Sequence, residues 1–129
     1  SGLQHKGHVF EKGKKYTLAA FFKTKKGELQ VNFKPELAKD PYTKIAGKKF
    51  TVNETWQEFH VTSVELAAAV DPAQITFHIG FDVAEFWVDG VRFFEGDYVD
   101  PPKAATTAVK AKGKLATIWG NIKKKQDFD

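Results

Sequence analysis

The stretch from Gln74 to Gly96 constrains the fold most, because it holds two apolar segments with the two-residue period of a β-strand. In the first segment every second residue is apolar, namely Ile75, Phe77, Ile79 and Phe81. In the second segment, Phe86 and Val88 share one face and Trp87 lies on the other. This alternation predicts two strands, each with one buried face, joined by a tight connection.

Five further segments have the composition and alternation of strands, at 3–10, 16–25, 28–34, 50–52 and 56–64. The second and third are separated by Lys26–Gly27 and predict a two-strand hairpin. Glu65–Val70 contains three consecutive alanines and allows a helical turn, which Asp71–Pro72 would end. Short strands that recur about every 8–12 residues, without strand–helix–strand alternation, predict an all-β protein, an antiparallel β-sandwich.

The chain of 129 residues suits one domain with one core. Pro101–Pro102 ends the strand pattern, which predicts a β-sandwich over 1–100 and a basic tail over 101–129. Within the tail, Lys103–Gly113 has the composition of a linker. Four apolar residues recur at helical spacing in 114–125 and predict a short helix: Leu115, Ile118, Trp119 and Ile122. Such a helix is stable only when it docks on another surface.

The formal net charge of +4 comes from the tail, since residues 103–129 carry seven lysines and two aspartates. The body, 1–102, is therefore close to neutral, with Arg92 as its single arginine. A nucleic-acid-binding body usually carries a basic, arginine-rich patch, so DNA or RNA is not expected as a partner. The sequence has no cysteine, which excludes disulfides and thiolate metal sites. It also has no apolar run of about 18 residues that would span a membrane.

Polar side chains occupy the outward positions of several predicted strands, and a long loop at 35–49 exposes Tyr42. If these strands join one sheet, its open face combines amides, imidazoles and an indole: Gln30, Asn32, His60, His78 and Trp87. Planar donors and acceptors match pairs of sugar hydroxyls, and an aromatic ring covers the apolar face of a pyranose. The pattern favours binding of a polysaccharide or oligosaccharide on this face, with an ordinary solvated sheet face as the alternative.

The sequence contains none of the common catalytic motifs, such as His-Glu-x-x-His, Gly-x-Ser-x-Gly or a phosphate loop. Glu58 with Glu85 or Asp89 could form a carboxylate pair for glycoside hydrolysis, but nothing in their spacing supports it. We therefore expect a protein that is not an enzyme. The alternatives to sugar binding are a structural or adhesion β-sandwich without a sugar site, and a glycosidase fragment.

Three separated segments resemble one known family, in the family's order. They are Lys12–Leu18 with its Lys-Gly-x-x-Tyr motif, Thr55–Val61 with Thr-Trp-x-x-aromatic, and Phe86–Phe93 with Asp89 inside an aromatic strand. These segments resemble carbohydrate-binding modules of the family 4/9/22 kind, which share a galactose-binding-like jelly roll. Over about residues 3–98, the resemblance implies a non-catalytic sugar-binding domain of a larger secreted or cell-surface protein. It also implies a structural calcium ion near Asp89.

Modules of this kind have further strands before the Lys-Gly-x-x-Tyr motif, and the sequence begins shortly before that motif. A sandwich without those strands would leave free N–H and C=O groups along its strand edges. We therefore expect self-association or pairing with a complementing polypeptide. The alternative is that the tail folds back through a strand at 106–111.

Overall fold

The computed structural model describes residues 2–80 and 85–101, and the backbone of three two-residue strands in the tail. Seven longer strands form the body: β1 (Gly2–Phe10), β2 (Tyr16–Thr24), β3 (Leu29–Leu37), β4 (Lys48–Val52), β5 (Gln57–Thr62), β6 (Val70–Ile79) and β7 (Phe86–Glu95). The tail strands are β8 (Lys110–Ala111), β9 (Lys114–Leu115) and β10 (Thr117–Ile118). None of the described residues belongs to a helix long and apolar enough to cross a membrane.

Two four-stranded antiparallel sheets pack face to face, which confirms the predicted β-sandwich of the jelly-roll kind. Sheet A has the strand order β1-β6-β3-β4, and sheet B has the order β10-β7-β2-β5. The short strands β8 and β9 pair with each other. β6 and β7, which follow each other in the sequence, lie in different sheets.

The core lies between the inner faces of the two sheets. It takes alternate side chains of β2, β3 and β6, as the period of their sequences predicts. At its centre Phe22, Phe33 and Phe77 are fully buried, and the ring centroid of Phe77 lies 5.3 Å from that of Phe22 and 4.7 Å from that of Phe33. Edge-to-face aromatic pairs of this kind add about 0.5–1.5 kcal/mol beyond the burial of their area.

Strand β7 contains a β-bulge at Gly90, where φ is +56°. Phe21 pairs with Asp89 and Ala19 pairs with Arg92, so one residue of β2 faces two residues of β7. The extra residue keeps the alternation in phase, because Val88 before it and Val91 after it both point into the core. As a result, Trp87, Asp89 and Arg92 all lie on the outer face of sheet B.

The predicted hairpin of β2 and β3 is wrong, because the two strands belong to different sheets. The turn at Lys26–Gly27 carries the chain across the end of the sandwich instead. At the end of β2, the backbone N–H of Thr24 donates to the carbonyl of Asn53, and that of Lys25 donates to Glu85. Each strand alone has one buried face, so its alternation does not distinguish a partner in the same sheet from one in the opposite sheet.

The helical turn allowed at Glu65–Val70 is absent, since residues 63–69 are irregular and β6 begins at Val70. Leu66 is buried against the core and exchanges backbone hydrogen bonds with the β1–β2 turn. Its N–H donates to the carbonyl of Lys14, and its carbonyl accepts from Gly13. These tertiary bonds satisfy backbone groups that a helical turn would have used internally.

The helix predicted over 114–125 is wrong at 114–115 and 117–118, where the structure has β9 and β10. Thr117 pairs with Phe93 and Ile118 with Arg92, so β10 adds a strand to the outer edge of β7. The free N–H and C=O groups of that edge give an extended segment the backbone hydrogen bonds that it cannot make internally, and two β-branched residues favour the extended form. The remainder of the predicted helix, 119–125, lies outside the described residues. Most of the linker and residues 106–109 of the predicted fold-back strand also lie outside them. Residues 110–111 form β8, which pairs with β9. Pairing with another polypeptide stays a prediction.

Candidate functional site

A cleft of about 520 Å³ lies on the outer face of sheet A. Its walls combine side chains of β1, β3 and β6 with the loop that follows β3: Gly2, Gln4, Lys34, Glu36, Tyr42, Thr76 and His78. Gln4, Lys34 and Thr76 come together because Gln4 pairs with Thr76, which in turn pairs with Lys34. Sequence alternation places all of these strand residues on the face opposite the core.

The floor of the cleft is a buried polar cluster centred on Glu36, whose side chain is about 5% exposed. Its Oε2 accepts hydrogen bonds from Gln74 Nε2 at 2.6 Å and from Thr76 Oγ1 at 3.0 Å. Its Oε1 lies 3.7 Å from Lys34 Nζ and has no hydrogen-bond donor among the residues that the structure describes. Within the same part of the chain, the buried Oδ1 of Asn32 also has no donor. Buried acceptors without a donor are costly, so this face retains unused capacity to accept hydrogen bonds.

Tyr42 provides the aromatic side chain of the cleft. Its side chain is 53% exposed, and its backbone has a left-handed conformation with φ of +57°. The loop is held to β3 by backbone hydrogen bonds from Leu37 N–H to Thr43 at 2.8 Å and from Ile45 N–H to Pro35 at 2.9 Å. A non-glycine residue in a sparsely populated conformation costs about 1–3 kcal/mol and persists where the surroundings impose it, often at ligand-binding loops.

His78 is exposed at the rim of the same cleft. Partial burial lowers the pKa of His78 below the ordinary value of 6.5, and the nearby ammonium of Lys34 lowers it further. The imidazole is therefore neutral at pH 7. A neutral ring has one N–H donor and one nitrogen acceptor, and it can bind two neighbouring hydroxyl groups of a ligand.

The six predicted contact residues divide between two faces. Gln30, Asn32 and His78 lie on the outer face of sheet A, and Tyr42 borders its cleft. His60 and Trp87 lie on the outer face of sheet B. The expectation of a single contact face required that these strands join one sheet, and they do not. The reason is the same as for the hairpin, since polar outward positions look alike in both sheets.

His60 is exposed and contacts the segment 96–101, which we call the strap. The ring of Tyr98 stacks on His60, with centroids 4.0 Å apart and planes inclined by 18°. The Tyr98 hydroxyl donates to Glu58 Oε1, and burial together with this carboxylate raises the pKa of Tyr98 to about 12. Arg92 donates to Glu58 Oε2 at 3.0 Å and to the Val99 carbonyl at 2.9 Å, so the strap is fixed at two points.

Trp87 belongs to a row of three side chains across sheet B, which we call the tryptophan row. Lys23 pairs with Trp87 in β7, and Trp56 directly precedes β5 on the other side of β2. The Lys23 ammonium lies 5.3 Å from the ring centroid of Trp87 and 5.8 Å from that of Trp56. Reasoning from strand alternation missed Trp56, because it stands before the strand rather than within it. Pairing Thr55–Val61 with Tyr16–Lys25 would have found it.

The carboxylates weighed for catalysis are engaged elsewhere. Both oxygens of Glu58 accept hydrogen bonds, one from Arg92 of β7 and one from Tyr98 of the strap, and Glu85 lies 3.2 Å from Lys25 in an ion pair. Asp89 accepts a hydrogen bond from the N–H of Gly90 at 2.8 Å. None of the three is therefore held ready as a general acid or base of a paired site.

A calcium ion takes six to eight oxygen ligands. Among the residues that the structure describes, no three His, Cys, Asp or Glu side chains gather where they could hold a metal ion. The described carboxylates alone therefore supply no calcium shell around Asp89, and carbonyl oxygens would have to complete one. The structural calcium ion stays a prediction of the family resemblance.

Comparison with solved structures confirms the fold. The chain is similar to a protein described as "CBM4 structure and function", a carbohydrate-binding module, with a TM-score of 0.63 and 19% sequence identity. The match covers 74% of this chain and 73% of that one. The chain therefore has a fold like that of family 4 carbohydrate-binding modules. No protein-family model matches the sequence, and no curated protein matches it.

Proposed function

We propose that this protein is a non-catalytic carbohydrate-binding module whose site is the cleft on the outer face of sheet A. The observation that carries the proposal is the composition of the cleft, which places an exposed aromatic ring, a neutral imidazole and a buried carboxylate cluster around one open volume. Sugar sites combine an apolar surface for the pyranose ring with planar groups for its hydroxyls. Similarity to the fold of carbohydrate-binding modules supports the assignment.

Each part of the cleft has a distinct role in this proposal. The ring of Tyr42 covers the C–H face of a pyranose, and His78 exchanges hydrogen bonds with its hydroxyls. Gln4 and Lys34, from the neighbouring strands, bind hydroxyls along the floor of the cleft. Glu36 acts beneath them: its carboxylate accepts from Gln74 and Thr76 and fixes the polar side chains of the floor.

The cleft is partly open to solvent, so the proposed ligand is an internal segment of a polysaccharide or a short oligosaccharide. As in many proteins of this fold, we propose that the module is secreted or displayed at the cell surface as part of a larger protein. Its function would then be to keep that protein close to the polymer.

A glycan array with the full chain tests the proposal, followed by titration of the best ligand against variants. We expect His78→Ala to weaken binding by at least about fivefold, since it removes hydrogen bonds to hydroxyls. Thr51→Ala is the matched control, because Thr51 lies on the same sheet outside the cleft lining and bonds to Gln30. An array without binding, or equal affinities for both variants, would favour the structural or adhesion domain instead.

A further inference from the structure

A second binding surface lies on the opposite side of the sandwich from the cleft. The outer face of sheet B carries the tryptophan row, made of Trp87, Lys23 and Trp56. In β2, Phe22 is fully buried, so Lys23 beside it points away from the core. In β7, Trp87 stands between the buried Phe86 and Val88 and points outward in the same way. The row is thus a consequence of strand register, and it is separated from the cleft by the whole core.

The spacing of the row suits an extended ligand. Trp87 and Trp56 stand on the two strands that flank β2, and strands in a sheet lie about 4.8 Å apart. Two strand spacings separate the two indoles, a distance comparable to the length of a disaccharide. Trp56 is 39% exposed, which is high for so large an apolar side chain. Trp87 is partly buried. Indoles that reach the surface of a sheet offer apolar faces to consecutive sugar rings.

The charge of the row suits an anionic ligand. Among the residues that the structure describes, no carboxylate lies within 4.0 Å of the Lys23 ammonium, whereas the neighbouring Lys25 has Glu85 as its partner. Instead, the ammonium lies over two indole rings, which stabilise a cation without neutralising it. A negatively charged group that approaches the row would meet this ammonium with an aromatic ring on either side.

We propose that the tryptophan row is a second carbohydrate-binding site, which takes a polysaccharide that bears carboxylate groups, such as a polymer of uronic acids. The carboxylate pairs with Lys23, and the rings of neighbouring sugars stack on Trp87 and Trp56. The site goes beyond the proposed cleft in both position and ligand charge. The strap lies on the same face beside the row, where Tyr98 stacks on His60.

Electrophoresis of the full chain in gels that contain polygalacturonate tests this site. We expect Lys23→Gln to weaken retardation by at least about tenfold, because a charge-assisted contact is lost. Trp56→Ala should weaken it by about fivefold or more through the lost stacking surface. Lys12→Gln is the matched control: Lys12 lies in the exposed β1–β2 turn, and its replacement changes the net charge equally. Retardation by the lysine-rich tail is common to all these variants.

The outcomes separate this site from attraction by charge and from the cleft. Equal losses in Lys23→Gln and Lys12→Gln would show that net charge alone binds the polymer, and would overturn the proposal. Binding by net charge alone would also be shown if dextran sulfate binds as tightly as polygalacturonate and Trp56→Ala changes the affinity for neither polymer. A lower melting temperature of Trp56→Ala with unchanged retardation would show that the row is only structural. Loss of polygalacturonate binding in Tyr42→Gly would place the ligand in the cleft, whereas loss of only neutral sugars supports two sites.

Discussion

Replacement of Tyr42 by glycine should change stability and sugar binding in opposite directions. The residue has φ of +57°, and a left-handed conformation costs a non-glycine residue about 1–2 kcal/mol. Glycine adopts this conformation without that cost, but it loses about 0.5–1 kcal/mol more conformational entropy on folding. Because the side chain is 53% exposed, its removal takes little area out of the core. The net expectation is a free energy of unfolding that is unchanged or higher by about 1 kcal/mol.

Binding should respond in the other direction. The ring is the aromatic wall of the cleft, and truncation of such a side chain at the centre of a binding site costs about 1–3 kcal/mol. This loss corresponds to an increase in the dissociation constant of about 5- to 150-fold. Tyr42→Phe is the control that keeps the ring, and its affinity should stay within about threefold, since a solvent-exposed hydrogen bond contributes little.

Calorimetric titration with the best neutral ligand, together with thermal melts of the same samples, measures both effects. Unchanged affinity in Tyr42→Gly would refute the role of the ring. A melting temperature lowered by more than about 5 °C, equivalent to about 1 kcal/mol, would show that the ring holds the loop, and the strain argument would fail.

Three other changes test the framework. Glu58→Ala should lower the free energy of unfolding by about 3–5 kcal/mol, because Arg92, with only 3% of its side chain exposed, would lose its carboxylate partner. Urea unfolding measures this loss, and a value below about 1 kcal/mol would contradict the prediction. Gly90→Ala should cost at least about 1–2 kcal/mol by the same method, since its φ is +56° and the new Cβ would lie 3.2 Å from an aromatic carbon of β2; a neutral effect would show that the bulge relaxes easily. Stability should also fall as the pH drops below 6.5, because burial and, to a lesser extent, the charge of His5 lower the pKa of His8 in the folded protein. The unfolded chain then binds a proton at His8 at a higher pH than the folded protein does, and this favours unfolding. Thermal melts of His8→Gln should lack the part of the pH dependence that comes from His8.

Sequence alternation predicted which side chains form the core but not which strands are neighbours. The inward sets of β2 and β3 are those that the two-residue period indicates. Their assignment to a hairpin failed because a short turn connects strands equally well within one sheet and across a sandwich. Only long-range pairings such as β2 with β5 and β7 decide between these arrangements, and no local pattern contains them.

The candidate site was predicted in part for the same reason. Asn32 and His78 lie on one face, since their outward positions follow from local alternation, and Tyr42, predicted from its exposed loop, lies beside that face. Glu36 was missed because the predicted strand ended at Lys34, whereas β3 continues through Pro35 to Leu37. Pro35 points inward, and a proline at this position gives no sign that the residue after it belongs to a buried polar cluster.

The tail shows how tertiary contacts override a local pattern. Leu115 and Ile118 have the spacing of one helical face, yet Leu115 lies in β9, which pairs with β8, and Ile118 lies in β10, which pairs with the edge of β7. Helix propensity over a short segment is worth little against a row of backbone hydrogen bonds with a fixed partner. Association with another polypeptide was expected from strand edges left free by missing opening strands, and it stays a prediction. At β7, β10 occupies part of one edge.

The two proposed surfaces are independent because of how the sandwich is built. The cleft uses outward residues of sheet A, and the tryptophan row uses outward residues of sheet B, with layers about 10 Å apart and the apolar core between them. No described hydrogen bond joins the two sets, so changes in one should add to changes in the other within about 0.5 kcal/mol. A module with two independent faces can hold two segments of polymer at once. The second contact then forms at a high effective concentration, so weak sites on each face are sufficient for firm attachment.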